Sequence, residues 1–159
     1  MNLRRIHAFI FASIVATSVT AMDSSKPEPK EPEKKDVQLE QARAAIAKQD
    51  WTGAQGLMRE AVARSPQNAD AHNLYAYSMR KGASPAMDLV FRHYNEALRI
   101  DPKHRGAHEY IGEAYLMSGN VEKAKDHLAQ LDKLCRLGCE EFSKLKKEVA
   151  TFEQQHAKK

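Results

Sequence analysis

The sequence has little of what would mark most specialised protein classes. Two cysteines in 159 residues are too few for a cysteine-scaffold protein, and seven glycines and six prolines are too few for a collagen-like chain. Aromatic residues make up only 7% of the chain, against 42% hydrophobic and 29% charged residues, which leaves room for a helix-rich soluble core. Excess charge of one sign is missing too. The formal net charge is +4, but Arg4 and Arg5 fall in a segment that reads as removable, and without them 23 basic residues face 21 acidic ones. A near-neutral surface gives no reason to expect nucleic acid or an anionic membrane as the main partner. No glycine loop for phosphate, no serine elbow and no carboxylate pair held in one pocket can be found, so no enzymatic activity and no cofactor is expected.

Only one long uncharged run is present, from Ile6 through Val19. It follows a short positive stretch ending at Arg4-Arg5 and runs into Val19-Thr20-Ala21, the slim side chains that a signal peptidase needs. Residues 1–21 therefore read as an export signal cut near Ala21. An uncleaved anchor is the alternative, but the run is shorter than the ~20 residues that span a bilayer, so no membrane insertion is expected after cleavage. Residues 22–36 alternate Lys and Glu around Pro27, Pro29 and Pro32. Such a segment cannot bury enough surface to offset its ordering entropy, and it reads as an extended tether, with a proline-rich ligand as the other possibility. The product would be periplasmic or secreted.

From Val37 the chain repeats itself. Glu60-Ala61-Val62-Ala63-Arg64-Ser65-Pro66 recurs as Glu96-Ala97-Leu98-Arg99-Ile100-Asp101-Pro102, 36 residues later. Six residues past each proline stand Ala71-His72 and Ala107-His108, and ten past stand Ala76 and Gly112, both small. A third unit runs to about residue 138 and is shorter, so the additional residues of the second belong in one loop, at Gly82-Ala83-Ser84-Pro85. Small residues at Ala42, Ala54, Ala76, Gly112 and Ala124 let helix backbones approach, while Met58, Tyr94, Tyr115 and Leu128 fill the space between crossing helices. Each hairpin alone leaves an apolar face bare, so the units must stack, and the last face needs a cap. Phe142, Leu145, Val149 and Phe152 recur at three- and four-residue steps among charged residues and form the apolar stripe of that cap, residues 140–154. Locally, Ser84-Pro85 reads as a helix start, Asn120 as a cap, and Gly138 as a residue that can close a helix in the left-handed region.

A period near 34 residues with two helices per unit resembles the tetratricopeptide repeat. Gly112, Tyr115, Gly119, Ala124 and Leu128 carry the family pattern in the third unit, Ala42, Trp51, Ala54, Met58, Ala61 and Pro66 in the first, and Ala76, Tyr94, Ala97 and Pro102 in the second, where Val90 replaces the usual alanine. The resemblance implies an all-α fold over residues 37–155: three helical hairpins (about 35–68, 69–104 and 105–138) and a C-terminal capping helix in a right-handed superhelical array. It also implies a concave groove lined by the unpacked faces of the first helices, holding an extended peptide or a partner helix. Those faces carry Arg43 and Ile46 in the first unit, Asn73, Tyr77, Arg80 and Lys81 in the second, and Glu109, Glu113, Leu116 and Met117 in the third. The groove is expected to be cationic and aromatic at its centre and acidic toward the cap, and to take a protein segment carrying acidic groups. The lysine-asparagine clamp of the family's chaperone-tail-binding members is not reproduced at Leu39 and Arg43. A solvated face with no ligand is the plainer alternative.

Cys135 and Cys139 flank Leu137-Gly138, and a chain reversal there could bring them together as a disulfide in an oxidising compartment; free thiols or a redox or metal role are the alternatives. His104 and His108 stand four apart, a spacing that suits metal ligation, which keeps open a metal- or thiol-handling function built on these four residues. His108-Glu109-Tyr110-Ile111-Gly112 starts like a zinc-protease motif but has Gly112 where the second histidine must be. His72 and His108 occupy equivalent repeat positions, as do His93 and His127, which a structural role explains without an ion.

Overall fold

Among the described residues seven helices form because small and apolar residues recur at helical steps and polar side chains close most of the helix starts. The structure is a computed structural model describing residues 36–157; the expected signal and the tether as far as residue 35 lie outside the described residues. The elements are α1 (Val37–Ala47), α2 (Trp51–Arg64), α3 (Ala69–Lys81), α4 (Met87–Ile100), α5 (Arg105–Met117), α6 (Val121–Leu134) and α7 (Glu140–His156), with no strand among the described residues. Helices α1, α3, α5 and α7 follow one another as neighbours in one layer, and α2, α4 and α6 back them in a second.

Five of the helix starts are closed by an oxygen or imidazole nitrogen accepting from an amide of the first turn, at Asp36, Asp50, Asn68, His104 and Asn120. Each such cap is worth about 1 kcal/mol. Asp36 is thus the first residue of the array rather than the last of the tether. The expected start at Ser84-Pro85 is corrected. The i to i−4 bonding of α4 opens with the Val90 amide on the Ala86 carbonyl at 3.0 Å, so Ser84 stands too early to cap it, and no side chain does so. Residues 82–86 all serve as loop between α3 and α4, where residues 48–50 and 118–120 suffice in the other hairpins. Gly119 and Gly138 turn the chain at φ +76° and +84°, which glycine adopts without a Cβ penalty.

The core falls into three clusters that straddle the seams between units. Ala42, Met58 and Leu74 join the first to the second, Val90, Tyr94 and Ile111 the second to the third, and Leu116, Leu131, Leu145 and Val149 the third to α7. Burying each of the larger side chains is worth about 1.5–3 kcal/mol, and most of that gain exists only when neighbours stack. Gly112 makes room for α7: a Cβ there would lie 2.6 Å from Leu145 Cδ2 and 2.8 Å from Cδ1.

Candidate functional site

On α3 and α5, steps of three and four residues bring side chains of successive units onto one face, and α7 closes its end. Tyr77, Arg80, Lys81, Glu109, Glu113 and Met117 line one cleft of about 470 Å³, which also takes in Tyr110 of α5 and Lys144 and Glu148 of α7. Arg43 and Asn73 line a smaller cavity of about 260 Å³ that shares Glu109, Tyr110 and Lys144. The expected groove residues are therefore neighbours, but their depths and charge states differ from the expectation.

Arg80 is the main correction. It was expected as a solvent-exposed groove cation, yet it is buried, with 4% of its side chain exposed. Its guanidinium donates to Glu113 Oε2 at 2.5 Å, to the Tyr94 hydroxyl at 3.3 Å and to Met117 Sδ at 3.5 Å, and it lies 5.4 Å from the Tyr77 ring centroid and 6.0 Å from that of Tyr110. It ties α3 to α4 and α5, and its charge is neutralised inside the protein. Arg43 is half exposed and 3.5 Å from Asp70, while Lys81 is exposed and forms no ion pair among the described residues. Of the three cations expected to meet an acidic partner, only Lys81 is unspent.

Asn73 is buried, and its Oδ1 has no hydrogen-bond partner. Glu109, one unit further along, is buried as well; desolvation, helped by the nearby Glu113 charge, pushes its carboxyl up to about 7. Burial also pushes the Tyr110 phenol up to about 12. Sequence reasoning did not select Tyr110, although it lies three residues before Glu113 on the same face. Its ring is 4.4 Å from that of Tyr77, which meets Trp51 edge-on at 6.1 Å, so three rings from three helices line up beside the cleft.

The histidines are engaged with each other. His72 Nε2 lies 3.1 Å from the Pro66 carbonyl and its Nδ1 2.9 Å from His93 Nδ1; His108 repeats both distances with Pro102 and His127. A carbonyl only accepts, so His72 and His108 donate from Nε2, and their Nδ1 atoms accept from Nδ1–H of His93 and His127. His104 is also committed: Nδ1 accepts from the Ala107 amide and Nε2 donates to Asp70 at 3.1 Å, a bond that, with Arg43, keeps the Asp70 carboxyl below its usual range. The ring nitrogens of His104 and His108 thus point to separate partners, and no group of three or more His, Cys, Asp or Glu side chains is placed to hold a metal ion among the described residues. Cys135 and Cys139 have their sulfurs 2.08 Å apart across the turn at Gly138.

The buried rings of His93, His108 and His127 carry a pH prediction. Burial holds His93 and His108 below the ordinary histidine range and brings His127 down to about 4. The unfolded chain takes up these protons first, so the stabilisation is complete above about pH 6.5 and is lost as the pH falls toward 4. Glu109 works in the opposite sense, its raised value favouring the fold as pH drops below 7. The histidine contribution is therefore read as a difference. Between pH 7 and 4, wild type is expected to lose about 1 kcal/mol relative to His127→Gln, an amount discounted for the partial exposure of the ring. Parallel stability curves in thermal melts would remove the argument.

A family model described as tetratricopeptide repeat matches residues 39–82. No curated protein matches the chain. Among solved structures, the chain is similar to the type III secretion chaperone SycD of Yersinia enterocolitica in complex with a peptide of the translocator YopD, at 14% identity over 79% of this chain and 93% of that one, with a TM-score of 0.63. It is also similar to the TPR2B domain of yeast Sti1 in its pHsp70 complex, at 20% identity over 76% and 99%, TM-score 0.64. A third is the first tetratricopeptide-repeat domain of Spaghetti (RPAP3) bound to the HSP90 peptide SRMEEVD, at 15% identity over 76% and 91%, TM-score 0.63. At these identities the likeness establishes the fold.

Proposed function

Since residues 36–157 form a tetratricopeptide-repeat array, we propose that the protein is a non-enzymatic interaction module holding a segment of a partner protein in the groove along α3, α5 and α7. The observation that carries this reading is the line of rings formed by Trp51, Tyr77 and Tyr110 beside an open cleft with exposed Met117 and Lys81. Rigid aromatic side chains give contact area at small entropic cost. The peptide complexes of SycD and RPAP3 support a peptide segment as the occupant. Acidic groups on that segment would face Lys81 at the α1 side of the cleft. Once a partner segment has been captured from an extract, the variant Tyr77→Ala, Lys81→Ala, Met117→Ala is expected to bind it about tenfold or more weakly, or about 1.4 kcal/mol, with unchanged helicity. Arg80 is left intact because it holds the fold. Unaltered affinity would make the groove a solvated face.

The same reading takes the chain as exported, periplasmic or secreted, with the signal cut after Ala21 and Cys135 bonded to Cys139. The charge-free run after Arg4-Arg5 and the chain reversal at Gly138 between the two cysteines support it. The intact mass of the exported protein, alkylated without reductant, is expected to begin at Met22 and carry no alkyl group. Two alkylated cysteines would refute the bond, and retained residues 1–21 the cleavage.

A further inference from the structure

The smaller cavity beside the cleft has a charge balance that its own residues leave open. Its wall holds two cations, Arg43 and Lys144, against four carboxylates, Asp70, Glu109, Glu140 and Glu141. Three of those carboxylates have basic partners: Asp70 meets Arg43 at 3.5 Å and His104 at 3.1 Å, Glu140 meets Lys144 at 2.6 Å, and Glu141 meets Arg105 at 3.5 Å. Glu109, only 4% exposed, is in no ion pair or side-chain hydrogen bond among the described residues. In the same cavity Asn73, also 4% exposed, has a buried Oδ1 that accepts nothing. Buried acceptors normally find donors, and leaving one unmet costs stability. A buried carboxylate and a buried carboxamide oxygen in one cavity call for the same kind of guest, a donor that brings positive charge.

We propose that this cavity is a subsite for a basic side chain, an arginine guanidinium of the bound segment, which donates to the Glu109 carboxylate and to Asn73 Oδ1. This deepens the groove reading and rests on it. A guanidinium carries five N–H donors in a planar fork and no acceptor. It can serve a carboxylate and an amide oxygen together, and the neighbouring Tyr110 ring offers it a face. Gly106 lines the same cavity. The groove would then be read at two points, by an acid at Lys81 and a base at Glu109, and this fixes the direction of the segment.

Two measurements on the purified protein test the subsite and the groove separately. In 1H–15N spectra, N-acetyl-argininamide at millimolar concentration is expected to shift the Asn73 side-chain amide and the Gly106, Glu109 and Tyr110 backbone signals, with N-acetyl-norleucinamide leaving them in place. Glu109→Gln and Asn73→Ala should each weaken the argininamide effect at least fivefold. No localised shift, or an equal response in Glu109→Gln, overturns the subsite. Spermidine binding tenfold more tightly than argininamide would overturn the assignment to a side chain in favour of a free polyamine. Selection of peptides from a display library is expected to enrich sequences with arginine at one fixed position, an enrichment lost in Glu109→Gln. Groove-binding peptides without that position overturn the subsite while the groove stands. A library that yields no peptide sensitive to Tyr77→Ala overturns the groove itself, whatever the argininamide spectra show.

Discussion

Arg80→Ala is expected to lower stability by about 3–5 kcal/mol, the cost of removing one partner of a buried charge pair. For a domain of this size that is a fall in Tm on the order of 10–20 °C. The variant leaves Glu113 without its cation, removes the donor to the Tyr94 hydroxyl and opens a gap where the guanidinium lay against Tyr77 and Tyr110. Tyr94 is fully buried, so water cannot readily replace that donor. Arg80→Met should cost less because it keeps most of the volume, and adding Glu113→Gln to Arg80→Met should recover part of the remainder by removing the stranded carboxylate. Chemical denaturation of wild type, Arg80→Met, Glu113→Gln and the double variant gives the coupling directly. A loss under about 1 kcal/mol for Arg80→Ala would mean that the pair is effectively solvated, and the arginine would return to the list of groove cations.

That arginine marks the boundary of what could be read from the sequence. The face of α3 carrying Asn73, Tyr77, Arg80 and Lys81 was legible because helical period fixes which side chains share a side. Depth was not legible. Period is a property of one helix, whereas depth depends on what the next helices lay over it, and here Tyr94 of α4 and Glu113 of α5 cover Arg80 while Lys81, one residue on, is exposed. The same limit hid the isolation of Glu109 and the orphaned Asn73 oxygen, since both depend on the pairing of every other charge in the cavity. The histidines show a middle case. The equivalence of His72 with His108 and of His93 with His127 follows from the repeat, but the partners within each unit are separated by 21 and 19 residues. The longer loop between α3 and α4 falls between the first two and masks a common spacing. Hairpin packing restores it, placing both pairs at 2.9 Å. By contrast, the stripe of α7 and the left-handed conformation of Gly138 were readable because they depend on local period and backbone freedom alone, although α6 ends earlier, at Leu134.

Gly112→Leu is expected to destabilise by about 2–3 kcal/mol, in the range of overpacked core positions, and to act first on α7. The glycine of α5 faces Leu145 of α7, and a Cβ would already sit within 2.6–3.3 Å of Leu145 Cδ2, Cδ1 and Cγ. Gly112→Ala is a different experiment. The atoms met are the ends of a flexible side chain, so Leu145 can turn away, while alanine in place of glycine in a helix returns roughly 0.5–1 kcal/mol; the two effects nearly cancel, and a net change within about 1 kcal/mol is expected. A leucine leaves no such escape. Its branch would occupy the place of Leu145, a fully buried residue of the cluster shared with Leu116, Leu131 and Val149. The cheapest relief is to lift α7 off the array, which would uncover Phe142, Val149 and Phe152 and leave the third unit without its cap. Limited proteolysis should therefore cut within residues 140–157 in Gly112→Leu before the rest of the array is attacked. Adding Leu145→Ala to Gly112→Leu makes room for the new side chain and is expected to restore at least 1 kcal/mol, although Leu145→Ala alone should cost about 2–5 kcal/mol. If the two substitutions instead add independently in denaturant unfolding, the glycine is not the contact on which α7 is seated, and the cap must owe its position to α6 and the turn at Cys135 and Cys139.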